Sequence, residues 1–292
     1  TGNAVIYASQ SGANPVVIPD IATTGNGAKA LILGGTSALN NLISGTIANS
    51  PGVTSLQKTG PGTWVLSGAN TFTGTASILQ GTLKLNATAA SSAVLNSGVG
   101  ITFGADTLVN SAGGSLVFTG FSGATTTETV GALTPTAGAG RVVVNNNGGT
   151  TTTLTFGSLG TRGTGATLDY APGSSAAILF TTEPTVTNGI LAAAAGGAAY
   201  QTFNGTDWAT ATSGSVGPLG AVTELPSSGA TSSLNYQLTT DQSVLGAMSV
   251  NTLKLIGQGT PPTLTLDNTL TLTAKGLLFD NSLGSFTITG GQ

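Results

Sequence analysis

The ten carboxylates have the widest chemical range of the side chains in this sequence, because it contains no His and no Cys. They are Asp20, Asp106, Glu128, Asp169, Glu183, Asp207, Glu224, Asp241, Asp267 and Asp280. Cleavage of a glycosidic bond needs two such groups within about 5 to 10 Å of each other. No two are adjacent or spaced as D-x-D or E-x-x-E, and Asp267 and Asp280 are the nearest late pair. We interpret all ten as solvated turn residues.

Nucleophiles, phosphate loops and metal ligands have no support in the sequence either. Ser and Thr are abundant, but a nucleophile needs a base, and no Lys stands in an S-x-x-K context. The five Lys are Lys29, Lys58, Lys84, Lys254 and Lys275. A phosphate-binding G-x-x-x-x-G-K-[ST] loop and the Asp spacings of calcium sites are absent. The sequence therefore predicts no catalytic, cofactor-binding or metal site, and a protein that is not an enzyme.

Aromatic side chains are the remaining candidates for binding, because exposed rings stack on sugars. The candidates are Trp64, Trp208, Tyr7, Tyr170, Tyr200 and Tyr236. Such residues more often pack in a core or a corner. The T-x-T units, which bind ice when they form a regular flat array, are unevenly spaced here, and this argues against that activity.

The elements that would position these groups are short β-strands. Runs such as Trp64–Leu66, Leu83–Leu85 and Leu264–Leu266 alternate with Gly, Asn, Ser or Pro, while long helix formers are scarce. With 39% hydrophobic residues and a net charge of −3, the chain is predicted to fold rather than stay disordered. The scattered cations exclude a nucleic-acid surface, and no apolar run approaches the length of a membrane helix.

Two stretches are less regular, and neither marks a domain boundary. The sequence AAAAGGAA at Ala192–Ala199 is compatible with a helical turn, although two glycines limit it. Residues 205–233 combine Trp208, Pro218 and Pro226 with many small residues, and we expect an irregular loop region near 192–233. Without a linker or a composition break, the prediction is one continuous domain over residues 1–292.

The segment 56–85 distinguishes a β-solenoid from a β-sandwich. Its sequence is LQKTGPGTWVLSGANTFTGTASILQGTLKL. It resembles the autotransporter-associated β-strand repeat of bacterial surface proteins, K-x-G-x-G-T-x-x-L-S-G-x-N-T-[YF]-T-G followed by G-T-L-x-[LV]. The matching residues are Lys58, Gly60, Gly62, Thr63, Leu66, Ser67, Gly68, Asn70, Thr71, Phe72, Thr73, Gly74, Gly81, Thr82, Leu83 and Leu85. This resemblance implies an all-β, right-handed parallel β-helix (a β-solenoid) and export to the bacterial cell surface.

Within this segment, local geometry predicts two corners around one strand. Gly60 and Gly62 form the first corner, Trp64 and Leu66 share one face of the strand, and residues 67–70 form the second corner. We expect Asn and Gly there to supply positive φ angles. With roughly 22 residues in a coil, the chain would make about a dozen coils and a rod on the order of 60 Å long.

The function that follows is structural and extracellular. Both ends of the sequence are free of charge, and head-to-tail contact between identical chains gives a filament. We therefore expect a subunit or segment of a surface fibre. The alternative is a monomeric rod-like adhesin that binds glycans through exposed Trp64 or Trp208, and a less favoured one is a polysaccharide-active enzyme. The chain opens directly on strand-like sequence, so any targeting segment is expected upstream or removed.

Overall fold

In the computed structural model the described residues are 2–9, 12–22, 26–49, 51–91, 93–106, 111–192 and 201–290. The chain divides into two compact units. Unit 1 comprises Thr1–Glu183 and Ser213–Val216, and unit 2 comprises Pro184–Thr212 and Gly217–Gln292. The single continuous domain over residues 1–292 stays a prediction.

All regular structure in the described part of the chain is β-strand. The strands of the first half are β1 (Ala4–Tyr7), β2 (Val17–Ile18), β3 (Lys29–Gly34), β4 (Asn40–Ile43), β5 (Thr54–Lys58), β6 (Thr63–Leu66), β7 (Ala76–Ile78), β8 (Gln80–Asn86), β9 (Ile101–Phe103), β10 (Ala105–Asp106), β11 (Ser111–Thr119), β12 (Thr126–Val130), β13 (Leu133–Pro135) and β14 (Ala139–Asn145). Those of the second half are β15 (Thr152–Phe156), β16 (Thr167–Pro172), β17 (Ala176–Phe180), β18 (Val186–Thr187), β19 (Ile190–Leu191), β20 (Gln201–Phe203), β21 (Asp207–Thr212), β22 (Ser215–Pro218), β23 (Thr223–Glu224), β24 (Asn235–Leu238), β25 (Gln242–Val244), β26 (Met248–Ile256), β27 (Thr263–Leu266), β28 (Leu270–Asp280) and β29 (Thr287–Gly290). None of the described residues forms a helix that is long and apolar enough to cross a membrane.

Unit 1 is built from three runs of parallel strands. The first run is β1-β3-β5-β7-β9-β13, the second is β2-β4-β6-β8-β11-β14-β16, and the third is β12-β15-β17. From β1 to β9 the chain alternates between the first two runs, and the third run begins at β12, so each return of the chain to the same run completes one coil. The all-β class and the parallel pairing are confirmed, while the right hand and the number of coils stay predictions.

The core of unit 1 follows from in-register stacking of inward side chains. Along the first run, Leu31, Leu56, Ala76, Ile101 and Leu133 are successive parallel partners, and all five are buried. A period-two pattern on each strand sends alternate residues inward, and parallel stacking aligns them with the coil before. The buried apolar surface is thus shared between coils, so no coil is stable alone.

Unit 2 contains two further parallel sheets, β23-β24-β26-β28 and β25-β27-β29. A buried cluster joins their inner faces and includes Leu238, Val244, Leu253 and Leu264. Two short antiparallel pairs, β18–β19 and β20–β21, also belong to this unit.

The prediction of an irregular loop region near 192–233 is wrong for much of its described part. Strands β20 and β21 pair there, and the segments Ser215–Pro218 and Thr223–Glu224 are also strands. The inward residues Ala209 and Ala211 are buried although they are small, so the usual Val, Ile and Leu signal of a strand is missing. Of the predicted helical turn at Ala192–Ala199, all but Ala192 lies outside the described residues.

Candidate functional site

The carboxylates do not share one environment. Asp20, Glu183, Asp241 and Asp267 are exposed, as predicted for solvated turns, whereas Glu128 is almost fully buried. The solvated interpretation is therefore wrong for Glu128, and it is also wrong for Asp280, which is 9% exposed.

Two carboxylates that the sequence did not pair meet in unit 2. Lys254 Nζ lies 3.7 Å from Asp207 Oδ1 and 3.9 Å from Asp280 Oδ2. Asp207 also accepts from the backbone N–H groups of Trp208 at 2.8 Å and Gly220 at 3.0 Å. Each carboxylate also accepts hydrogen bonds from donors other than the ammonium. Asp207, Lys254 and Asp280 therefore form an ion-pair cluster that links β21, β26 and β28. In the described residues no group of three or more Asp or Glu converges as a metal site.

The aromatic candidates are mostly inside the molecule. Trp64 is 0% exposed and Trp208 is 3% exposed, so neither ring face is open to a sugar. Tyr170 and Tyr236 are buried too, whereas Tyr7 is 65% exposed. Tyr200 lies outside the described residues. Glycan binding through Trp64 or Trp208 would need an exposed ring, and neither ring is exposed.

Lys58 is the most unusual polar residue of unit 1. It is the last residue of β5, its parallel partners are Leu33 and Ile78, and its side chain is fully buried in an otherwise aliphatic column. The ammonium turns toward the adjoining corner and donates to the carbonyl oxygens of Thr59 at 2.8 Å, Gly60 at 2.7 Å and Gln80 at 3.0 Å. Three N–H donors therefore meet three acceptors, which is what a buried ammonium requires.

The corner beside Lys58 is made of stacked glycines. Gly35, Gly60 and Gly81 all have positive φ. A Cβ on Gly81 would lie 2.6 Å from Gly62 O and 2.7 Å from Lys58 Nζ, so no larger residue fits. The glycines thus serve both the turn and the close approach of successive coils to the ammonium.

Asn70 joins successive coils at the second corner. Its Oδ1 accepts from Ile47 N at 2.8 Å, and its Nδ2 donates to Gly68 O at 2.9 Å and Val94 O at 2.8 Å. Because neither Asn70 nor Gly68 has a positive φ, the expectation that Asn and Gly supply this angle is wrong at the second corner. Its role is to satisfy buried backbone groups in two neighbouring coils.

Trp64 makes a similar bridge from the strand between the two corners. Its indole Nε1 donates to Gly34 O at 2.9 Å, and the ring fills the core. Lys58, Trp64 and Asn70 therefore form one set of buried polar side chains, the corner bridges, that connect neighbouring coils.

Comparison with known proteins places the corner bridges inside a recognised repeat. Residues 56–85 match the family model of the passenger-associated-transport-repeat. The adhesin BmaC autotransporter of Brucella suis biovar 1 (strain 1330) is 38% identical over 84 residues. Residues 56–85 are an autotransporter passenger repeat. The aligned part covers 27% of this chain and 2% of that adhesin, so the chain spans a small piece of its relative. No solved structure matches the chain.

The contacts of the motif residues explain why the passenger repeat has these residue types at these positions. Lys58, Gly60 and Gly81 make the first corner, Asn70 makes the second, and Leu83 with Leu85 belongs to the buried face of β8. Sequence reasoning identified these positions but missed the burial of Lys58. A Lys in an inward position of a strand, followed by G-x-G, is the signal that would have indicated it.

Proposed function

We propose that this chain is a non-enzymatic, extracellular segment of a bacterial surface protein of the adhesin type. Its function is to provide a rigid stack of coils. The observation that carries the proposal is the passenger repeat, whose motif residues are the corner bridges between coils of unit 1. The adhesin that resembles the chain supports the same class of protein.

Surface display in a Gram-negative host tests the proposal. The chain is fused between a secretion leader and an outer-membrane translocator, and surface exposure is measured by antibody labelling of intact cells and by protease shaving. We expect the wild-type chain to be displayed at the surface and to resist the protease as a folded stack.

Two lysines of the same repeat give a matched pair of variants. Lys58 is buried and bridges coils, whereas Lys84 donates to Asn40 Oδ1 at 2.9 Å on an exposed face. We expect Lys58→Met to reduce protease-resistant display and Lys84→Met to leave it unchanged. A wild-type chain that is not displayed, or equal effects of the two variants, would contradict the proposal.

A second candidate function is head-to-tail assembly into fibres, and one observation favours it. Strand β28 is the edge of its sheet, and its Leu277 and Phe279 are 39% and 48% exposed, although their parallel partners in β26, Leu253 and Leu255, are buried. Among the described residues no further strand pairs with β28 beyond this edge, although the Phe279 ring stacks on Phe286 with ring centroids 5.0 Å apart. We propose a second copy of this chain as the cover, because edge strand β1 is exposed as well and carries no charge, while the charges of β28 are limited to the exposed Lys275 and the buried Asp280.

Negative-stain electron microscopy of the purified chain at high concentration tests assembly. We expect fibres from the wild-type chain and none from a Leu277→Asn, Phe279→Asn double variant. Leu245→Asn changes an exposed Leu elsewhere in unit 2 and serves as the control. Isolated particles from the wild-type chain at all concentrations would exclude the fibre and leave the monomeric adhesin as the remaining proposal.

A further inference from the structure

A short segment of unit 1, residues 93–100, lies between β8 and β9 in the chain and forms no strand. We call it the strap. Val94, Leu95 and Val99 are buried and fix the strap to the core. From one side, Asn70 holds the backbone of Val94, because its N–H donates to Val94 O at 3.1 Å and its Nδ2 donates to the same oxygen at 2.8 Å.

Glu128 holds the strap from the other side. The carboxylate oxygens accept from the backbone N–H groups of Val94 and Leu95, both at 2.8 Å. Glu128 lies on β12, where its partner in the next coil is the buried Leu154. A side chain therefore supplies the acceptors that a neighbouring strand would supply elsewhere in the stack.

Among the described residues, the Glu128 carboxyl group has no ionic partner to compensate for its burial. The strap, residues 67–75 (the second corner and the segment after it), β11, β15 and the rest of β12 contain no Asp, Glu, Lys, Arg or Tyr. Lys84 on β8 is engaged by Asn40 on an exposed face. Burial raises the pKa of Glu128 from 4.5 to about 7, and the two backbone N–H groups lower it by less.

The outer side of the strap borders a depression of about 500 Å³. Ala93, Leu95 and Asn96 of the strap form one wall, and Thr127 and Thr129, on either side of Glu128, form another. Movement of the strap away from β12 would widen this depression and bring water to the carboxyl group.

We propose that Glu128 is a pH-sensitive latch that holds the strap against β12 most firmly when its carboxyl group is neutral. Release of the strap hydrates Glu128, and a hydrated carboxyl group has the ordinary pKa of 4.5. Because the held state binds the proton more tightly, rising pH favours release. The ratio of released to held strap increases by on the order of 300-fold from below pH 4.5 to above pH 7.

Amide hydrogen exchange of peptides that cover residues 93–100 measures this release. After correction for the intrinsic pH dependence of exchange, we expect protection in the wild-type chain to fall between pH 5 and pH 8. Glu128→Gln removes the titrating group and should abolish that fall. Glu224→Gln is the control, because Glu224 accepts from Thr239 N at 3.0 Å in unit 2 and should leave the strap unchanged. The same pH profile in the wild-type chain and in Glu128→Gln would overturn the latch.

A second measurement applies even if Glu128→Gln fails to fold. The chain contains three Glu, so 13C labelling of the Glu carboxyl groups gives three signals. Glu183→Gln and Glu224→Gln assign two of them, and the third belongs to Glu128. We expect the Glu128 signal to titrate with a midpoint near 7, together with the change in exchange. A midpoint near the ordinary 4.5 would overturn the proposal.

Discussion

At the residue scale, the passenger repeat depends on a buried cation that binds backbone rather than acid. Lys58 stands in a column with Leu33 and Ile78, yet its ammonium has three carbonyl acceptors at 2.7 to 3.0 Å. Hydrogen bonds to a charged donor are stronger than neutral ones. One side chain thus satisfies the corner of its own coil and the start of β8 in the next coil.

Replacing Lys58 by Met tests this role in the purified chain. Met keeps the volume but leaves buried carbonyl groups without their donor, so we expect the free energy of unfolding to fall by about 2 to 4 kcal/mol. Urea denaturation followed by the fluorescence of Trp64, in a Trp208→Phe background for both variants, measures the loss in unit 1. Lys84→Met should change stability by no more than about 0.5 kcal/mol. A loss from Lys58→Met no larger than the control's would mean that the ammonium is not a structural bridge.

Residue environments were the part of the site that the sequence predicted least well. Composition and spacing identified Lys58, Trp64 and Asn70 as motif positions, but they do not reveal that an ammonium or a carboxyl group is buried. Glu128 shows why. Its burial depends on the strap, which is far from it in sequence, and only the stacked structure brings Val94 and Leu95 to its oxygens.

At the element scale, strands with aliphatic residues at period two were predictable, and strands of small residues were not. Gln80–Asn86 and Leu270–Asp280 carry the pattern clearly. Strand β21, DWATAT, buries Ala209 and Ala211, and its antiparallel pairing with β20 is decided by tertiary contacts. The tertiary contacts that place β21 also bring Asp207 to Lys254. No local sequence pattern indicates this ion pair.

The ion-pair cluster of Asp207, Lys254 and Asp280 in unit 2 predicts a specific loss of stability. Lys254→Met leaves Asp207 and Asp280 facing a methyl group with no cation between them, so we expect unit 2 to lose about 2 to 4 kcal/mol. The fluorescence of Trp208, measured in a Trp64→Phe background, follows this unit. Lys275→Met on the exposed side of β28 is the matched control. Equal stability of the two variants would show that the ion pairs contribute no more than surface pairs do.

At the scale of the whole molecule, the resemblance of residues 56–85 correctly implied parallel stacking well beyond those residues. All-β structure and the parallel pairing in both units follow from a sequence of short strands and glycine corners. No change in composition along the sequence marks the division into two compact units. The proposals of surface location and of adhesive or fibre-forming function rest on the passenger repeat and on the exposed edge at β28.

The most direct test of the stacked coils is a pair of engineered disulfides, since the chain has no Cys. Thr127 and Thr153 are partners on adjacent parallel strands, whereas Ala177 is one strand further along the same ladder. Neighbouring strands lie about 4.8 Å apart, and Cα atoms more than about 7 Å apart do not form a disulfide. We expect Thr127→Cys with Thr153→Cys to oxidise to an intramolecular disulfide and Thr127→Cys with Ala177→Cys to remain reduced. Failure of the first pair to close, or equally ready closure of the second, would contradict the parallel register of the stacked coils.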